Sequence, residues 1–498
     1  MTVLVIDVGT SGLRAAVVTP DAEVTALHYR PFVPSTPAPG IVEFDADEMA
    51  RLVLDVAHRS LADASAAGLG PIGVVGITAQ RASTIAWSRS TGRALAPGIG
   101  WQDLRTVGDC IAVRAEHGLA LAPNQSATKA RWLLQNLGDH DPADICLGTV
   151  DSWIAWTLSG PGSGSGRLHV TDHTNAAVTG LATFTEGAPR WNARVASLMN
   201  VDPTMLPRII DSSGAIGEAT ALPNSPLIAS LVGDQQASLM GQSCVGPGVA
   251  KCTFGTGGMF DVVTGDDPPA SPDRSGHGTF PIVAWSRDGH LTWGSEAIML
   301  SAGSAVEWLV DDMGLVGSAA ETHDVASTCT TSDGVFFVPA LLGLATPHWD
   351  YGARGGLFGL TRGTNRAHIV RAVLEGVAHR GADLLEATLA DHPNLTIDEV
   401  RIDGGMSRNP TFVSALANAT GRRIGVAPVS DATTLGAAYL AGLHTGVWRD
   451  LDDIAGQWRP RDVVEPDTTV DRAAWRASWA EAVTRVEGWI PDLSALDF

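Results

Sequence analysis

Asp234, an acidic residue between two glycines, is the strongest candidate for chemistry in this sequence. It follows an apolar run that ends at Val232 and precedes a segment with helical apolar spacing, which predicts a turn from a buried strand into a helix. A carboxylate at such a turn can face a cleft and take a proton from a ligand hydroxyl, as a general base does. The alternative is that Asp234 only caps the helix. These residues alone leave both interpretations open.

Two glycine-rich hairpin turns indicate phosphate binding. The first hairpin, residues 3–18, has Asp7 at the end of its first strand and Thr10 and Ser11 in its turn. Backbone N–H groups and hydroxyls of such a turn can bind phosphate oxygens, and Asp7 is placed to hold Mg²⁺ directly or through water. An ordinary hairpin turn is the alternative. Residues 249–263 repeat the design around Gly-Thr-Gly-Gly, which predicts a duplicated chain with a nucleotide between the two turns.

Two further segments belong to the second half. Residues 400–413 predict a strand, a double-glycine turn and a helix capped by Asn409. The N-terminus of that helix is suited to an anion or nucleotide, although capping alone would also explain Asn409. Near the C-terminus, apolar residues from Trp475 to Trp489 recur at helical spacing, which predicts a terminal helix docked on the body of the protein.

The composition bounds the class of protein. A chain of 498 residues is expected to form two or three domains. The net charge of −21, spread without a block of like charge, argues against nucleic-acid or acidic-membrane partners. Five scattered cysteines without a C-x-x-C pair indicate neither a disulfide framework nor a zinc site, and favour a reducing cytoplasm. The first residues are typical of a strand, with no signal peptide or membrane span.

The motifs, taken in this order, resemble the FGGY carbohydrate kinases and, within that family, the glycerol kinases. The similar segments are residues 7–10, 101–106, 150–153, 171–176, 233–237, 255–257, 353–368, 404–409, 434–438 and 446–451. The resemblance implies an α/β fold of two actin-like, ribonuclease-H-like ATPase domains with a nucleotide cleft between them. It implies an N-terminal domain over 1–244 that binds the acceptor and carries the base. A C-terminal domain over 245–498, ending in the docking helix, would bind the nucleotide.

The same resemblance implies ATP and Mg²⁺ as cofactors, a small polyol or sugar as substrate, and a homodimer or homotetramer. Asp234 matches the catalytic base, and Asp7 matches the metal-linked carboxylate. The positions of the first phosphate turn are Thr10, Ser11 and Arg14. The positions that contact the nucleotide elsewhere are Thr256, Gly303, Gly405 and Asn409.

The acceptor-binding positions depart from the glycerol-kinase pattern. The positions that match it are Arg81, Asp234 and Gln235. The glutamate position is occupied by Ala82, the tyrosine position by Asn124 and the phenylalanine position by Met259. Because each charged hydrogen bond lost costs roughly 1–3 kcal/mol, the sequence predicts an acceptor larger than glycerol, such as a tetritol or a pentulose. The alternative is a true glycerol kinase in which neighbouring residues refill the pocket.

A different class of function is a non-catalytic ATP-binding protein that uses domain closure as a switch. Asp7, Arg81 and Asp234 argue against it, because a chain without catalysis would be free to lose them.

Overall fold

The computed structural model describes residues 1–160, 166–184, 187–428 and 431–496. The strands of the first half are β1 (Val3–Val8), β2 (Gly12–Val18), β3 (Val24–Pro31), β4 (Glu43–Phe44), β5 (Val74–Ala79), β6 (Thr84–Ser88), β7 (Gly98–Ile99), β8 (Ile145–Thr149), β9 (Val170–Asp172), β10 (Ala182–Thr183), β11 (Arg190–Trp191), β12 (Arg208–Ile210), β13 (Ser213–Glu218) and β14 (Leu227–Gly233). Its helices are α1 (Ala46–Ala66), α2 (Val107–His117), α3 (Ser126–Asn136), α4 (Val150–Leu158), α5 (His173–Ala177), α6 (Ala193–Leu198) and α7 (Asp234–Gly241).

The second half begins after α7. Its strands are β15 (Ala250–Phe254), β16 (Gly258–Gly265), β17 (Phe280–Arg287), β18 (His290–Met299), β19 (Phe336–Val338), β20 (Gly356–Phe358), β21 (Glu399–Asp403), β22 (Arg423–Val426) and β23 (Asp462–Val464). Its helices are α8 (Gly303–Glu307), α9 (Glu321–Ala326), α10 (Arg366–Asp391), α11 (Pro410–Thr420), α12 (Ala432–Thr445), α13 (Leu451–Ala455), α14 (Arg472–Thr484) and α15 (Pro491–Ser494).

A central sheet of 13 strands shows the predicted duplication. Its order is β23-β22-β21-β15-β16-β18-β17-β13-β14-β5-β1-β2-β3. In the first half, β3, β2 and β1 are antiparallel neighbours, and β1, β5 and β14 are parallel. In the second half, β18, β16 and β15 are antiparallel, and β15, β21 and β22 are parallel. The same five-stranded arrangement therefore occurs twice.

The two arrangements are joined inside the sheet. Strand β13 of the first half pairs with β17 of the second half at Ser213 and Arg287. The sheet is thus continuous across the predicted boundary between residues 244 and 245, and that boundary stays a prediction.

Three apolar clusters cover the sheet. One packs α1 and α4 on the first arrangement, one packs α10 and α11 on the second, and the third surrounds α7 and α12. All six residues of β1 are buried. Because both faces of the central sheet are covered, its inner strands such as β1 consist almost entirely of apolar residues.

Helices α7 and α12 touch backbone to backbone. A Cβ atom on Gly436 of α12 would lie 1.8 Å from the carbonyl oxygen of Ala237, and one on Gly241 of α7 would lie 1.8 Å from that of Ala432. Only glycine permits this approach. Because each helix passes its glycine against the other, the last turn of α7 is held against the first turn of α12, where Thr433 donates to Asp7 of the first phosphate turn.

The terminal helix differs from its prediction at one end. Trp479 of α14 is buried, but the helix ends at Thr484 and Trp489 is 69% exposed. Gly488 has a φ of 66°, and its N–H donates to Asp350 at 2.7 Å, so the chain turns away before Trp489. Within the described ranges, no helix is both long and apolar enough to cross a bilayer.

Candidate active site

Asp234 lies at the predicted strand-to-helix turn. Strand β14 ends at Gly233, which takes the cap position, and Asp234 is the first residue of α7. Its Oδ1 accepts the N–H of Gln235 at 2.8 Å, and 22% of its side chain is exposed. Burial raises the pKa of Asp234 to about 6, with the Arg81 guanidinium opposing and the Asp7 charge adding to the shift. A carboxyl that titrates near neutrality can serve as a general base.

The Arg81 guanidinium lies between two carboxylates. Its Nη2 is 2.6 Å from Oε2 of Glu296, and its Nε is 3.9 Å from Oδ1 of Asp234. Nε and Nη2 form one edge of the planar group, so both carboxylates lie along the same edge. Glu296 belongs to β18 in the second half, and Arg81 follows β5 in the first. The pair therefore spans the two halves.

Ala82 adopts a backbone conformation that is unusual for its type. Its φ is 60°, and its carbonyl accepts hydrogen bonds from Ser126 Oγ at 3.0 Å and Thr84 Oγ1 at 3.1 Å. A non-glycine residue persists in this region only when its surroundings hold it there, as occurs at functional sites.

The backbone of Asn124 links it to this region. The exposed Asn124 accepts from the buried Lys129 Nζ at 3.3 Å through its carbonyl, and the same Nζ donates to the Trp101 carbonyl at 3.0 Å. The Trp101 indole donates in turn to Thr10 Oγ1 at 3.1 Å. Burial lowers the pKa of Lys129 to about 7. Lys129 and Trp101 thereby tie the loop of Asn124 to the first phosphate turn.

A row of buried charges crosses the second half beneath Arg81. Lys251, Asp261 and Glu296 lie side by side on the adjacent strands β15, β16 and β18. Lys251 Nζ is 2.6 Å from Asp261 Oδ2 and donates to Gln235 Oε1 at 2.8 Å. Burial raises the pKa of Asp261 to about 6 although Lys251 opposes the shift. Met259, two residues before Asp261 in β16, shares this face and is half-buried.

Sequence reasoning missed the members of this row. The signal was present, because Lys251 and Asp261 are single charged residues inside apolar strands. A buried charge is costly unless it is paired, so an isolated charge in an apolar strand indicates a partner elsewhere in the chain.

The first phosphate turn is bound to α12. Asp7 Oδ2 accepts from Thr433 Oγ1 at 2.6 Å and lies 3.5 Å from Thr434 Oγ1 and from Arg14 Nε. Arg14 also pairs with Asp431, the residue before α12. Burial raises the pKa of Asp7, and Arg14 opposes this. Ser11, predicted for this turn, is exposed, as a residue open to a ligand would be.

The second turn, residues 255–257, packs on the start of α8. The N–H of Gly303 donates to the Gly255 carbonyl at 2.8 Å, and Thr256 at the tip is exposed. The double-glycine turn packs against the end of β15, the strand that leads into residues 255–257. A Cβ atom on Gly404 would lie 2.3 Å from the carbonyl oxygen of Phe254 in that strand. A Cβ on Gly405 would meet only open space. The structure therefore brings Thr256, Gly303 and Gly405 to one region.

Asn409 is engaged within the second half. Its Oδ1 accepts the N–H of Phe412 at 3.1 Å as the cap of α11, and its Nδ2 donates to Thr322 Oγ1 at 2.8 Å. The capping interpretation accounts for its amide, and contact with a nucleotide stays a prediction.

Asp7 fits the requirements of Mg²⁺ at a phosphate site. Across the described ranges, no group of three or more His, Cys, Asp or Glu residues is arranged to hold a metal ion. Mg²⁺ at phosphate sites needs only one or two carboxylates, with phosphate oxygens and waters as the other ligands. The buried Asp7 carboxylate, close enough to Asp234 to raise its pKa, meets that need.

Comparison with known proteins identifies the family. The model of the N-terminal domain of the FGGY family of carbohydrate kinases matches residues 2–241, and that of the C-terminal domain matches residues 250–444. The chain belongs to the FGGY family of carbohydrate kinases. A glycerol kinase of Aromatoleum aromaticum is 39% identical over 507 residues, covering 98% of this chain and 99% of the relative.

Two solved structures are similar along almost the whole chain. The structure of Plasmodium falciparum glycerol kinase with ADP has a TM-score of 0.88 and 27% identity, covering 97% of this chain and 98% of that one. A xylulose kinase from Lactobacillus acidophilus has a TM-score of 0.80 at 20% identity, covering 97% of each chain, and shows the fold alone. The predicted α/β fold of two actin-like domains is confirmed.

Family membership makes this chain a phosphotransferase with an alcohol group as acceptor, and ATP is the phosphate donor expected for the family. The predicted enzyme class is confirmed. The roles of the individual residues and the oligomeric state stay predictions.

Proposed function

We propose that this FGGY kinase transfers the γ-phosphate of ATP to a terminal hydroxyl of glycerol. The observation that carries the proposal is the pair of carboxylates, Asp234 and Glu296, along one edge of the Arg81 guanidinium. The similarity of this chain to glycerol kinases over almost its whole length also supports glycerol as the acceptor.

Asp234 acts as the general base in this proposal. It takes the proton of the terminal hydroxyl as that oxygen bonds to the γ-phosphorus and the bond to the β-phosphate oxygen breaks, which releases ADP. Phosphoryl transfer depends mainly on positioning and on charge stabilisation. The backbone of the two glycine-rich turns would hold the phosphates, and Asp7 would hold Mg²⁺, which supplies neutralisation of the phosphate charge when bound. A cytoplasmic location is part of the proposal.

Glu296 explains how glycerol is accepted despite Ala82. The prediction of an acceptor larger than glycerol rested on the changes at Ala82, Asn124 and Met259, with the lost carboxylate at position 82 as the costliest, and the relatives do not support it. Glu296 brings a carboxylate to Arg81 from the opposite half. It would accept the glycerol hydroxyls that the glutamate accepts in the family pattern, and Arg81 would donate to their oxygens.

A swap of the carboxylate between the two positions tests this assignment. The Glu296→Gln variant should raise the KM for glycerol roughly 10- to 100-fold, because a charged acceptor is lost. Adding Ala82→Glu should restore much of the affinity, and it adds no new backbone strain because Ala82 already carries a Cβ at positive φ. An unchanged glycerol KM in the single variant would show that Glu296 does not face the acceptor.

The pH dependence of the reaction follows from the pKa of Asp234. Since a base must be deprotonated, kcat/KM for glycerol should fall about tenfold per unit as the pH drops below about 6, the pKa to which burial raises this carboxyl. Rate profiles measured from weakly acidic to weakly basic pH check this. The Asp151→Asn variant, which removes a buried carboxyl of α4 whose pKa is also about 6, should keep the inflection. A flat profile through this range would contradict the assignment of the base.

A further inference from the structure

Lys251 is a fully buried cation that contacts an acceptor-site residue. Its Nζ donates to Gln235 Oε1 at 2.8 Å and to Thr253 Oγ1 at 3.1 Å, and it lies 2.6 Å from Asp261 Oδ2. Burial acts to lower the pKa of Lys251, but the Asp261 and Asp403 carboxylates outweigh it and hold the pKa above its usual value. Lys251 therefore stays a cation at every pH at which the enzyme would work.

An ammonium group has three donors and no acceptor. Lys251 donates two hydrogen bonds, to the amide of Gln235 and to Thr253, and forms an ion pair with Asp261. If that amide were rotated by 180°, its NH₂ group would face the ammonium, donor against donor. The charge of Lys251 therefore decides which end of the Gln235 amide faces it, a choice that is otherwise open for glutamine.

We propose that Lys251 is a positioning residue, which holds the Gln235 amide by its oxygen so that its NH₂ group is presented to the acceptor alcohol. Lys251 belongs to the second half and Gln235 to the first, so this contact also joins the two halves at the acceptor site. The inference rests on the proposed function, since it gives Gln235 a defined part in binding glycerol.

The orientation gives the acceptor site a definite polarity. Ionised Asp234 can only accept, and Arg81 can only donate. With Gln235 fixed as a donor, a hydroxyl at the site gives its proton toward Asp234 and receives hydrogen bonds on its oxygen from Gln235 or Arg81. A hydroxyl, which both donates and accepts, satisfies this arrangement, whereas an ammonium group does not.

The Gln235→Glu variant distinguishes the two amide orientations. Glutamate keeps an oxygen for Lys251 but replaces the NH₂ donor by a second acceptor of the same size. If Gln235 donates, the KM for glycerol should rise roughly 10- to 100-fold, with the KM for ATP changed less than about twofold. If Gln235 instead accepted from the alcohol, glutamate would preserve or lower the glycerol KM, and that result would overturn the proposal.

The assay is run at about pH 8, so that Asp234 stays ionised beside the added charge. The Gln135→Glu variant makes the same chemical change at an exposed position of α3 and should behave as wild type. Thermal melting of each variant shows that the fold is kept. Failure of the wild-type enzyme to phosphorylate glycerol would contradict the proposed function. An unaffected glycerol KM in the Gln235→Glu enzyme would contradict only the proposed orientation of the Gln235 amide.

A second variant tests Lys251 itself. The double variant Lys251→Met with Asp261→Asn removes both members of the buried ion pair, so neither charge is left without its partner. Without Lys251, the Gln235 amide can rotate and should bind glycerol more weakly. We expect the KM for glycerol to rise roughly tenfold, which corresponds to the loss of about one hydrogen bond, and kcat to change less. An unchanged glycerol KM in a folded double variant would overturn the positioning role.

Discussion

Replacing Asp234 by Asn should lower kcat for glycerol phosphorylation roughly 100- to 10,000-fold, the usual contribution of a general base. Asn has nearly the same shape but cannot take the hydroxyl proton. Steady-state ADP release measures the loss, and the KM for ATP should change little because the role proposed for Asp234 is toward the acceptor and not toward the nucleotide. Turnover within about twofold of wild type would show that another group is the base.

The same variant should be more stable than wild type. Because the folded-state pKa of Asp234 is raised to about 6 from 3.8, folding favours the protonated carboxyl. The favourable contribution is present below the unfolded pKa and is lost as the pH rises through about 6, so the ionised form costs stability at neutral pH. Asn avoids that cost, by up to about 3 kcal/mol at 1.36 kcal/mol per pKa unit. Denaturant melts at neutral and at acidic pH should show a gain only at the higher pH.

Gly436→Val should destabilise the protein by about 1–3 kcal/mol or more, because new atoms must fit where no space exists. The first added atom would lie 1.8 Å from the Ala237 carbonyl oxygen. Helices α7 and α12 would have to separate, which would move Asp234 at the start of α7 and Thr433, the partner of Asp7, at the start of α12. The melting temperature and kcat should therefore both fall.

Gly108 provides the control for this substitution. It lies in α2 with no atom within 4 Å of an added Cβ. Gly108→Ala should be neutral or stabilising by about 0.5–1 kcal/mol, since alanine loses less backbone entropy than glycine in a helix. Equal destabilisation at Gly108 and Gly436 would contradict the close-packing explanation.

The sequence predicted those parts of the site that depend on local signals. An apolar run ending at Gly233 marked the strand-to-helix turn of Asp234, and two glycine-rich hairpins marked the duplication. Buried parallel strands and tight turns each leave a continuous pattern over a few residues. The family resemblance then supplied roles for residues that no local pattern assigns.

Contacts between distant segments could not be predicted in this way. Arg81 and Glu296 are 215 positions apart, and Asp7 and Thr433 are 426 apart. These pairs meet because the two sheet arrangements join and α12 packs on α7, which no local pattern encodes. The predicted larger acceptor shows the consequence. That prediction counted the carboxylate lost at Ala82 but not the carboxylate that Glu296 brings from the second half.

We propose that this chain phosphorylates glycerol with ATP through Asp234. The most direct test is coupled ADP release with ATP and Mg²⁺ over glycerol, tetritols, pentitols and ketopentoses, with the Asp234→Asn enzyme as the blank. We expect the highest kcat/KM on glycerol and only background turnover in the variant. A clear preference for a longer acceptor, or no acceptor-dependent ADP release at all, would contradict the account.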